Sequence, residues 1–407
     1  MARKLPKGWS RVALGDVCEI NPRADALNGV DRISFVAMAD TSEAGRLVSH
    51  TTVPVTRKSV AGYTRFRRGD ILCAKITPCF ENGKGALTDN LHTAQGIGST
   101  EFHVIRTSER ILPEIAHAII QSTQFRRRGE LWMTGSAGQK RVPADYIAEY
   151  EIELPSLDEQ RRIVSVLDAA DRQVDLAESI AKKAVDQSAA VARKLIASIT
   201  GKQVDLAQVV SRVRRPPTSD DVVPLTISAA IGLVSQSTFF GRRVASDVVD
   251  GYTLIRHGEF AYNKSYSNGY PYGAIKRLEV VKAGVLSSLY LCFGVDDEKV
   301  VNGDYLAAVC ESGFFNRQIH MIAHEGARNH GLLNVSAEDF FAMTFPLPEI
   351  NEQKRIAETV RFASMRSQHS RERVQALEQQ KRGLTQQLLT GQQRLTRDLP
   401  GMEHADV

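Results

Sequence analysis

The stretch ELPSLDEQRRI, residues 153–163, occurs a second time in nearly the same form as PLPEINEQKRI, residues 346–356. The Leu-Pro, Glu-Gln, Arg and Ile of the two copies stay in register at an offset of 193 residues. Self-similarity at a fixed offset is typical of a duplicated structural unit. The repeated stretch therefore predicts that the chain is built twice from one plan.

Weaker matches extend this repeat along most of the chain. GDILCAKI (69–76) resembles GEFAYNKS (258–265) at an offset of 189, which places Lys75 opposite Lys264. The matches occur in the same order in both halves, and their offsets are nearly constant. Order and offset together predict a tandem repeat with pseudo-twofold symmetry.

Each half begins with a mixed segment of strands and helices. Short β-branched and aromatic runs bounded by Gly, Asp and Asn predict strands, as in RISFVAM, GDILCAKI and EYEIEL. One helix is predicted over 113–132, with a counterpart over 303–319. The fold class expected is α+β, with two globular domains and two long antiparallel coiled-coil helices. The predicted division is domain 1–155, helix 156–201, domain 202–348, helix 349–391 and tail 392–407.

The repeated stretch also predicts where each long helix begins. Ser156 and Glu159 form a capping box, in which the serine hydroxyl accepts from the Glu159 amide and the glutamate reaches back. Gly201 and Gly391 follow Thr at the two ends, where a left-handed residue commonly closes a helix. Each helix would span about 60 Å, at 1.5 Å per residue.

Small and apolar residues recur every 3.5 positions along both helices, which favours a coiled-coil seam over ordinary amphipathic core helices. If the second helix packs on the first, connectivity makes the two antiparallel. The larger residues of the predicted seam, also candidates for partner docking, are Ile163, Leu167, Val174, Val191, Leu195, Ile356, Val360, Val374, Leu377, Leu384 and Leu388.

The amino-acid composition favours a globular protein over a membrane or secreted one. The 407 residues are 43% hydrophobic and 24% charged, which is ordinary for a globular protein. No run of eighteen apolar residues predicts a membrane span, and the N-terminus lacks the apolar region of a secretory signal. The five cysteines form no CxxC pair, so reduced thiols in a cytoplasmic protein are expected.

A search for catalytic motifs finds none. The P-loop, HExxH and GxSxG patterns are absent, and the histidines lack metal-ligand spacing. The sequence therefore predicts neither a catalytic residue nor a metal site.

Basic and polar clusters favour DNA contact at several loops. The net charge is +5, and TGSAGQKRV (134–142) is small, polar and basic, as expected of a loop that approaches phosphates. In the second half, residues 263–277 interleave Lys and Arg with Tyr, and residues 324–335 form a Gly-rich polar run that corresponds to 134–142. A solvated polar surface is the alternative for each cluster. The candidate DNA-binding residues are Lys75, Lys84, Ser136, Gln139, Lys140, Arg141, Lys264, Tyr266, Asn268, Arg328, Asn329 and His330.

These features together resemble the specificity (S) subunit of Type I restriction–modification systems. The motifs that carry the resemblance are LPSLDEQRRI (154–163), LPEINEQKRI (347–356), LPKGWSRVALGDV (5–17), GDILCAKITP (69–78), GSTEFHV (98–104) and ARNHGLLNV (327–335). The resemblance implies that each globular domain is a target recognition domain for one half of a bipartite double-stranded DNA sequence. It also implies that the helices set the unread spacer between the half-sites.

The resemblance further implies partners and cofactors. The chain would have no catalysis of its own and would bind two methyltransferase (M) subunits, with restriction (R) subunits joining the complex. S-adenosylmethionine, ATP and Mg are expected in those partner subunits and none in this chain. Two alternatives stay open from the residues: a coiled-coil scaffold that organises non-DNA partners, and an intrinsic nuclease or methyltransferase.

Overall fold

The computed structural model describes residues 5–136, 138–217, 223–228, 232–236, 251–265, 270–325 and 333–395. The chain divides into two compact units, and each contains part of both long helices. The first unit is Met1–Leu176 with Gln375–Val407, and the second is Ala177–Val374.

The two long helices are α5 and α9. The α-helices are α1 Arg57–Val60, α2 Pro113–Gln121, α3 Thr123–Glu130, α4 Ala144–Glu149, α5 Leu157–Ala197, α6 Gly303–Glu311, α7 Asn316–Ile322, α8 Ala337–Phe341 and α9 Ile350–Leu389. Short 3₁₀ turns lie at Leu14–Asp16, Met38–Asp40 and Leu206–Gln208.

Strands β1 to β10 belong to the first unit and β11 to β22 to the second. The first set is β1 Ser10–Ala13, β2 Cys18–Ile20, β3 Arg32–Val36, β4 Thr51–Pro54, β5 Thr64–Arg67, β6 Ile71–Ala74, β7 Gly85–Leu87, β8 Gln95–Gly98, β9 Phe102–Thr107 and β10 Glu151–Leu154. The second set is β11 Lys202–Asp205, β12 Val210–Arg212, β13 Leu225–Ser228, β14 Gly232–Ser235, β15 Thr253–Arg256, β16 Phe260–Asn263, β17 Ala274–Arg277, β18 Ala283–Leu286, β19 Tyr290–Val295, β20 His324–Glu325, β21 Leu333–Asn334 and β22 Thr344–Leu347.

Sheet topology confirms the duplication. The first unit has a four-stranded sheet of order β2-β9-β6-β7, and the second has one of order β12-β19-β16-β17. Each unit also has a separate antiparallel pair, β1-β10 or β11-β22, whose second strand ends just before a long helix begins. The first unit adds the sheet β4-β3-β8-β5, and the second adds the pairs β13-β14, β15-β18 and β20-β21.

Each helix predicted within a globular domain is two helices in the structure. Ser122 adopts an extended conformation between α2 and α3, and its hydroxyl accepts from the Phe125 amide, so it starts a new helix. In the second unit Gly313, with φ of 76°, lies between α6 and α7. The apolar periodicity of the sequence continues across both breaks. The helix nevertheless ends at the first break because Ser122 caps a new helix, and at the second because Gly313 adopts a left-handed conformation.

In the first unit, the beginning of α5 packs against the end of α9. Ile163, Leu167 and Leu388 belong to one buried apolar cluster with residues of the globular domain. Asp171 of α5 accepts a hydrogen bond from Lys381 of α9. Residue numbers rise along α5 while those of the α9 partners fall, so the two helices are antiparallel here.

In the second unit, the end of α5 packs against the beginning of α9 in the same sense. Ser188 and Ser364 are hydrogen-bonded at 3.3 Å, and Ile196 shares a buried cluster with Ile356. The antiparallel pairing predicted from the 3.5-residue period is therefore confirmed in both units.

The predicted seam residues are buried or half-buried with one exception. Val191 is 36% exposed, while its neighbour Ala192 and the following Ile196 are 2% and 1% exposed. A helix with 3.6 residues per turn drifts relative to a strict 3.5-residue repeat, so the buried stripe has moved by one residue. The expectation for Val191 is wrong for this reason, and Leu195 lies only at the edge of the stripe.

The predicted Thr-Gly ending is found at one of the two long helices and not at the other. Gly391 has φ of 60° and closes α9 in the left-handed conformation expected of it. Gly201 lies four residues beyond Ala197, the last residue of α5, and is absent from the positive-φ glycines. It begins the approach to β11 and is not a helix cap.

Within the described ranges, no helix is long and apolar enough to cross a membrane.

Candidate nucleic-acid interface

The repeated stretch attaches each globular domain to its long helix through a buried glutamine. Gln160 is fully buried, and its Oε1 accepts from the Leu112 amide at 2.8 Å. Its Nε2 donates to the carbonyls of Arg110 and Pro155, each at 3.0 Å. All polar atoms of this side chain are thereby satisfied by backbone groups, which gives the domain a defined orientation on α5.

Gln353 repeats this arrangement in the second unit. Its Oε1 accepts from the Asn302 amide at 2.8 Å, and its Nε2 donates to the carbonyls of Val300 and Pro348 at 3.0 and 2.9 Å. The conserved geometry explains why the Gln of the repeated stretch occurs in both copies.

The neighbouring Glu159 makes contacts that the capping-box prediction did not include. Its amide does donate to the Ser156 hydroxyl, as the predicted cap requires, at 3.4 Å. Its buried carboxylate instead accepts from Trp9 Nε1 at 2.9 Å and from Arg394 at 2.6 and 2.9 Å. Burial opposes ionisation of Glu159, but the bonds from Arg394 and Trp9 outweigh it and hold its pKa below the ordinary value.

The described loop residues 134–136 and 138–141 form an exposed polar surface near the first four-stranded sheet. Thr134 and Arg141 form an antiparallel bridge, and Gly135 and Gly138 have φ of 123° and 80°. These left-handed conformations suit glycine and allow a tight, small-residue loop. Ser136, Gln139, Lys140 and Arg141, all predicted for DNA binding, lie together here and are exposed.

Lys75 lies against the base of this loop. It directly follows β6, and its carbonyl accepts from the Val142 amide at 2.9 Å. The Thr77 amide donates to the Lys140 carbonyl at 2.9 Å, so two backbone bonds fix the loop on the end of the strand. The structure therefore brings Lys75 together with the four loop residues predicted from the sequence.

His103 supports the loop from inside the domain. It is buried, its Nε2 donates to the Val142 carbonyl at 2.9 Å, and its Nδ1 accepts from Asn21 Nδ2 at 3.0 Å. Burial, the largest cause, lowers the His103 pKa, so the ring is neutral near pH 7. Asn21 itself has φ of 52°, and its side-chain oxygen accepts from the Val104 amide.

The loop is not uniformly cationic. Arg141 forms a two-bond ion pair with Glu101, whose pKa this hydrogen bond lowers. The charge of the Arg141 guanidinium is therefore partly neutralised by Glu101, while Gln139 and Lys140 are exposed. The sequence alone did not identify Glu101, His103 and Asn21 as residues that contact this loop. They are distant from it along the chain, and no local pattern links them to it.

Lys84 does not join this group. It is half-buried, and its ammonium lies 3.4 Å from the carbonyl of Met38, a residue of another loop.

The second unit has an equivalent of Lys75, as the sequence offset predicted. Lys264 directly follows β16, and its carbonyl accepts from the Leu333 amide at 2.9 Å. Its ammonium, however, donates to the Val335 carbonyl at 2.6 Å, and burial lowers its pKa. The remaining candidates Tyr266, Asn268, Arg328, Asn329 and His330 lie outside the described residues.

The fold and the loop define a class of protein: a duplicated α+β chain in which each domain is tied to a long antiparallel helix. Residues 6–184 match the family described as the Type I restriction modification DNA specificity domain. The expected resemblance to Type I specificity subunits is confirmed over these residues.

Two curated relatives from Escherichia coli are similar to this chain. The Type I restriction enzyme EcoEI specificity subunit is 33% identical over 251 residues, and the EcoAI specificity subunit is 32% identical over 250. Each match covers 61% of this chain and 42% of the relative, so the chain spans less than half the length of these proteins.

A solved structure supports the fold over nearly the whole chain. It comes from work on complex assembly and conformational transition of the type I R-M system. The TM-score is 0.58 at 19% identity, with 96% of this chain and 100% of that chain covered. The predicted architecture is therefore confirmed.

Proposed function

We propose that this chain is the DNA recognition subunit of a Type I restriction–modification complex. Each globular domain reads one half of a bipartite double-stranded target, and the chain contributes recognition without catalysis. The observation that carries the proposal is the duplicated domain–helix unit, with Gln160 and Gln353 making the same attachment twice. A protein with two equivalent reading domains suits a target with two separate halves.

The loop at 134–141 supports DNA contact by the first domain. Lys140 and Gln139 are exposed on a loop that two backbone bonds and buried His103 hold in place. Function is concentrated in loops that a rigid scaffold positions, and lysine and polar side chains are common phosphate contacts.

Methylome sequencing tests the proposal directly. A bacterial strain that expresses the full chain with its neighbouring restriction–modification subunits should carry a methylated-adenine motif with two defined halves and an unread gap. A strain that lacks only this chain is the control and should lose the motif. A continuous motif, or one that persists in the control, contradicts the proposal.

We further infer that the paired helices set the length of the gap. Helices α5 and α9 have 41 and 40 residues and pack antiparallel in both units. Inserting seven residues into each helix, between Ala184 and Val185 and between Ser367 and Gln368, adds two turns and preserves the apolar stripe. The gap should then grow by about three base pairs, from 1.5 Å per helical residue and 3.4 Å per base pair. A gap of unchanged length contradicts this inference.

The partner subunits follow from the same proposal. We expect two methyltransferase subunits to bind along the helices and restriction subunits to join the complex, with S-adenosylmethionine, ATP and Mg bound by those partners. The five cysteines, all within the described residues, are free thiols, which supports a cytoplasmic location. Mass measurement of the purified complex with and without α9 seam variants such as Leu377→Asp tests the helix as a docking element.

A further inference from the structure

The end of α3 presents two exposed apolar side chains beside the polar loop. Leu131 is 86% exposed and Trp132 is 47% exposed. Single exposed apolar residues are common on protein surfaces. Only Met133 separates these two residues from loop 134–141, and its sulfur accepts a weak bond from the Thr77 hydroxyl at 3.9 Å.

A rigid aromatic platform lies beneath this end of α3. The Trp132 ring lies 5.8 Å from that of Tyr146, and the Tyr146 ring lies 5.8 Å from that of Tyr150. The Arg128 guanidinium lies 5.9 Å from the centre of the Tyr150 ring. Tyr146 is buried, and its hydroxyl donates to the Phe125 carbonyl. The packed rings anchor the backbone at this helix end, and the Leu131 side chain projects from it into solvent.

The segment of chain around Leu131 contains more basic than acidic residues. Residues 124–141 contain five Lys or Arg residues and one acidic residue, Glu130. Arg126 turns inward to the Glu81 carbonyl, whereas Arg127 and Lys140 are exposed. An exposed apolar side chain that is flanked along the chain by exposed cations complements DNA, in which charged phosphates flank the bases.

We propose that Leu131 makes an apolar contact with DNA bases in the half-site read by the first domain, while Lys140 contacts a neighbouring phosphate. The inference rests on the proposed function and adds a specificity-determining residue to it. Leucine side chains are used in this way as wedges against base steps, and apolar groups also contact the thymine methyl.

The test compares Leu131→Ser with Lys140→Gln in the full chain, purified with its methyltransferase subunits. Binding to the target duplex found by methylome sequencing and to a scrambled duplex is measured over a range of salt concentrations. Leu131→Ser should weaken target binding about tenfold, with scrambled binding and the salt dependence unchanged. Lys140→Gln should weaken both duplexes and reduce the salt slope by about one.

Val48→Ser is the matched control, because Val48 is 61% exposed in the same unit and lies on a different loop. It should bind both duplexes as the parent protein does. The proposal is overturned if Leu131→Ser binds the target normally, or if it lowers the yield of assembled complex instead of target affinity. If the parent complex cannot distinguish the two duplexes, the proposed function itself fails, which is a separate outcome.

Discussion

Gln160 and Gln353 make equivalent hydrogen bonds in the two copies of the repeated stretch, whereas Glu159 and Glu352 beside them do not. Glu159 is buried and binds Trp9 and Arg394, which lie near opposite ends of the chain. Among the described residues, the Glu352 carboxylate accepts hydrogen bonds only from Arg355, one turn further along the same helix. Two copies of one sequence therefore differ in what surrounds them.

Chain connectivity explains the difference. In the second unit, the end of α5 continues covalently through Gly201 into β11. In the first unit, the equivalent positions are the end of α9 and the start of β1, which are separate parts of the chain. Glu159 joins them through Trp9 and Arg394, and Arg394 also donates to the Lys7 carbonyl at 3.2 Å. A buried ion pair takes the place that a covalent connection has in the other copy.

The largest effect expected is the loss of either glutamine. Gln160→Ala or Gln353→Ala should each reduce the free energy of unfolding by about 3 kcal/mol, since buried backbone groups lose their partners. Hydrogen exchange of the complex should show faster exchange at the Leu112 amide for the first variant and at the Asn302 amide for the second. Unequal losses of stability would show that the two attachments are not equivalent.

Glu159→Gln should cost about 2 kcal/mol of unfolding free energy, because it removes the charge from a buried hydrogen-bonded pair with Arg394. Glu352→Gln is the matched variant in the second copy, and its exposed ion pair should leave the thermal unfolding temperature unchanged. Equal destabilisation by both variants would refute the difference argued from connectivity.

The stabilisation from Glu159 should also depend on pH. Its pKa is lowered in the folded protein from an ordinary value of 4.5, so the stabilisation is fully present above that value. It is lost as the pH falls through the lower, folded-state pKa. The difference in stability between the parent protein and Glu159→Gln should therefore be constant near pH 7 and shrink in acid. A difference that stays constant down to pH 3, followed by chemical denaturation, contradicts this assignment.

The smallest effect expected distinguishes the two equivalent lysines. Lys75→Gln should reduce the salt slope of target binding by about one, as the loss of one phosphate contact does. Lys264→Gln should leave the slope unchanged, because its ammonium donates to the Val335 carbonyl. Equal changes in slope for the two variants would show that Lys264 also reaches the DNA.

Much of the fold was predictable because it depends on local patterns. The 3.5-residue period identified both helices, and the order of the repeats identified the duplicated topology. The predicted reciprocal arm of the capping box was wrong, since Glu159 found stronger partners in Trp9 and Arg394 than its own helix offers. The breaks at Ser122 and Gly313 were missed because apolar periodicity continues through them.

The candidate site was predicted only in part. Loop composition pointed to Gln139, Lys140 and Arg141, because small, basic and polar residues are readable in a single segment. The ion pair of Arg141 with Glu101 and the support from His103 join residues about forty positions apart. No local pattern encodes such contacts.

The sequence by itself determined the duplication, the long antiparallel helices and the repeated attachment stretch, because periodicity and repetition are properties of neighbouring residues. Only the tertiary structure decided that Gln160 and Gln353 bind the domain backbone, that Glu159 joins the two ends of the chain, and that Lys264 is occupied while Lys140 is exposed. These outcomes depend on which distant groups meet in space, and burial then sets the strength of each contact.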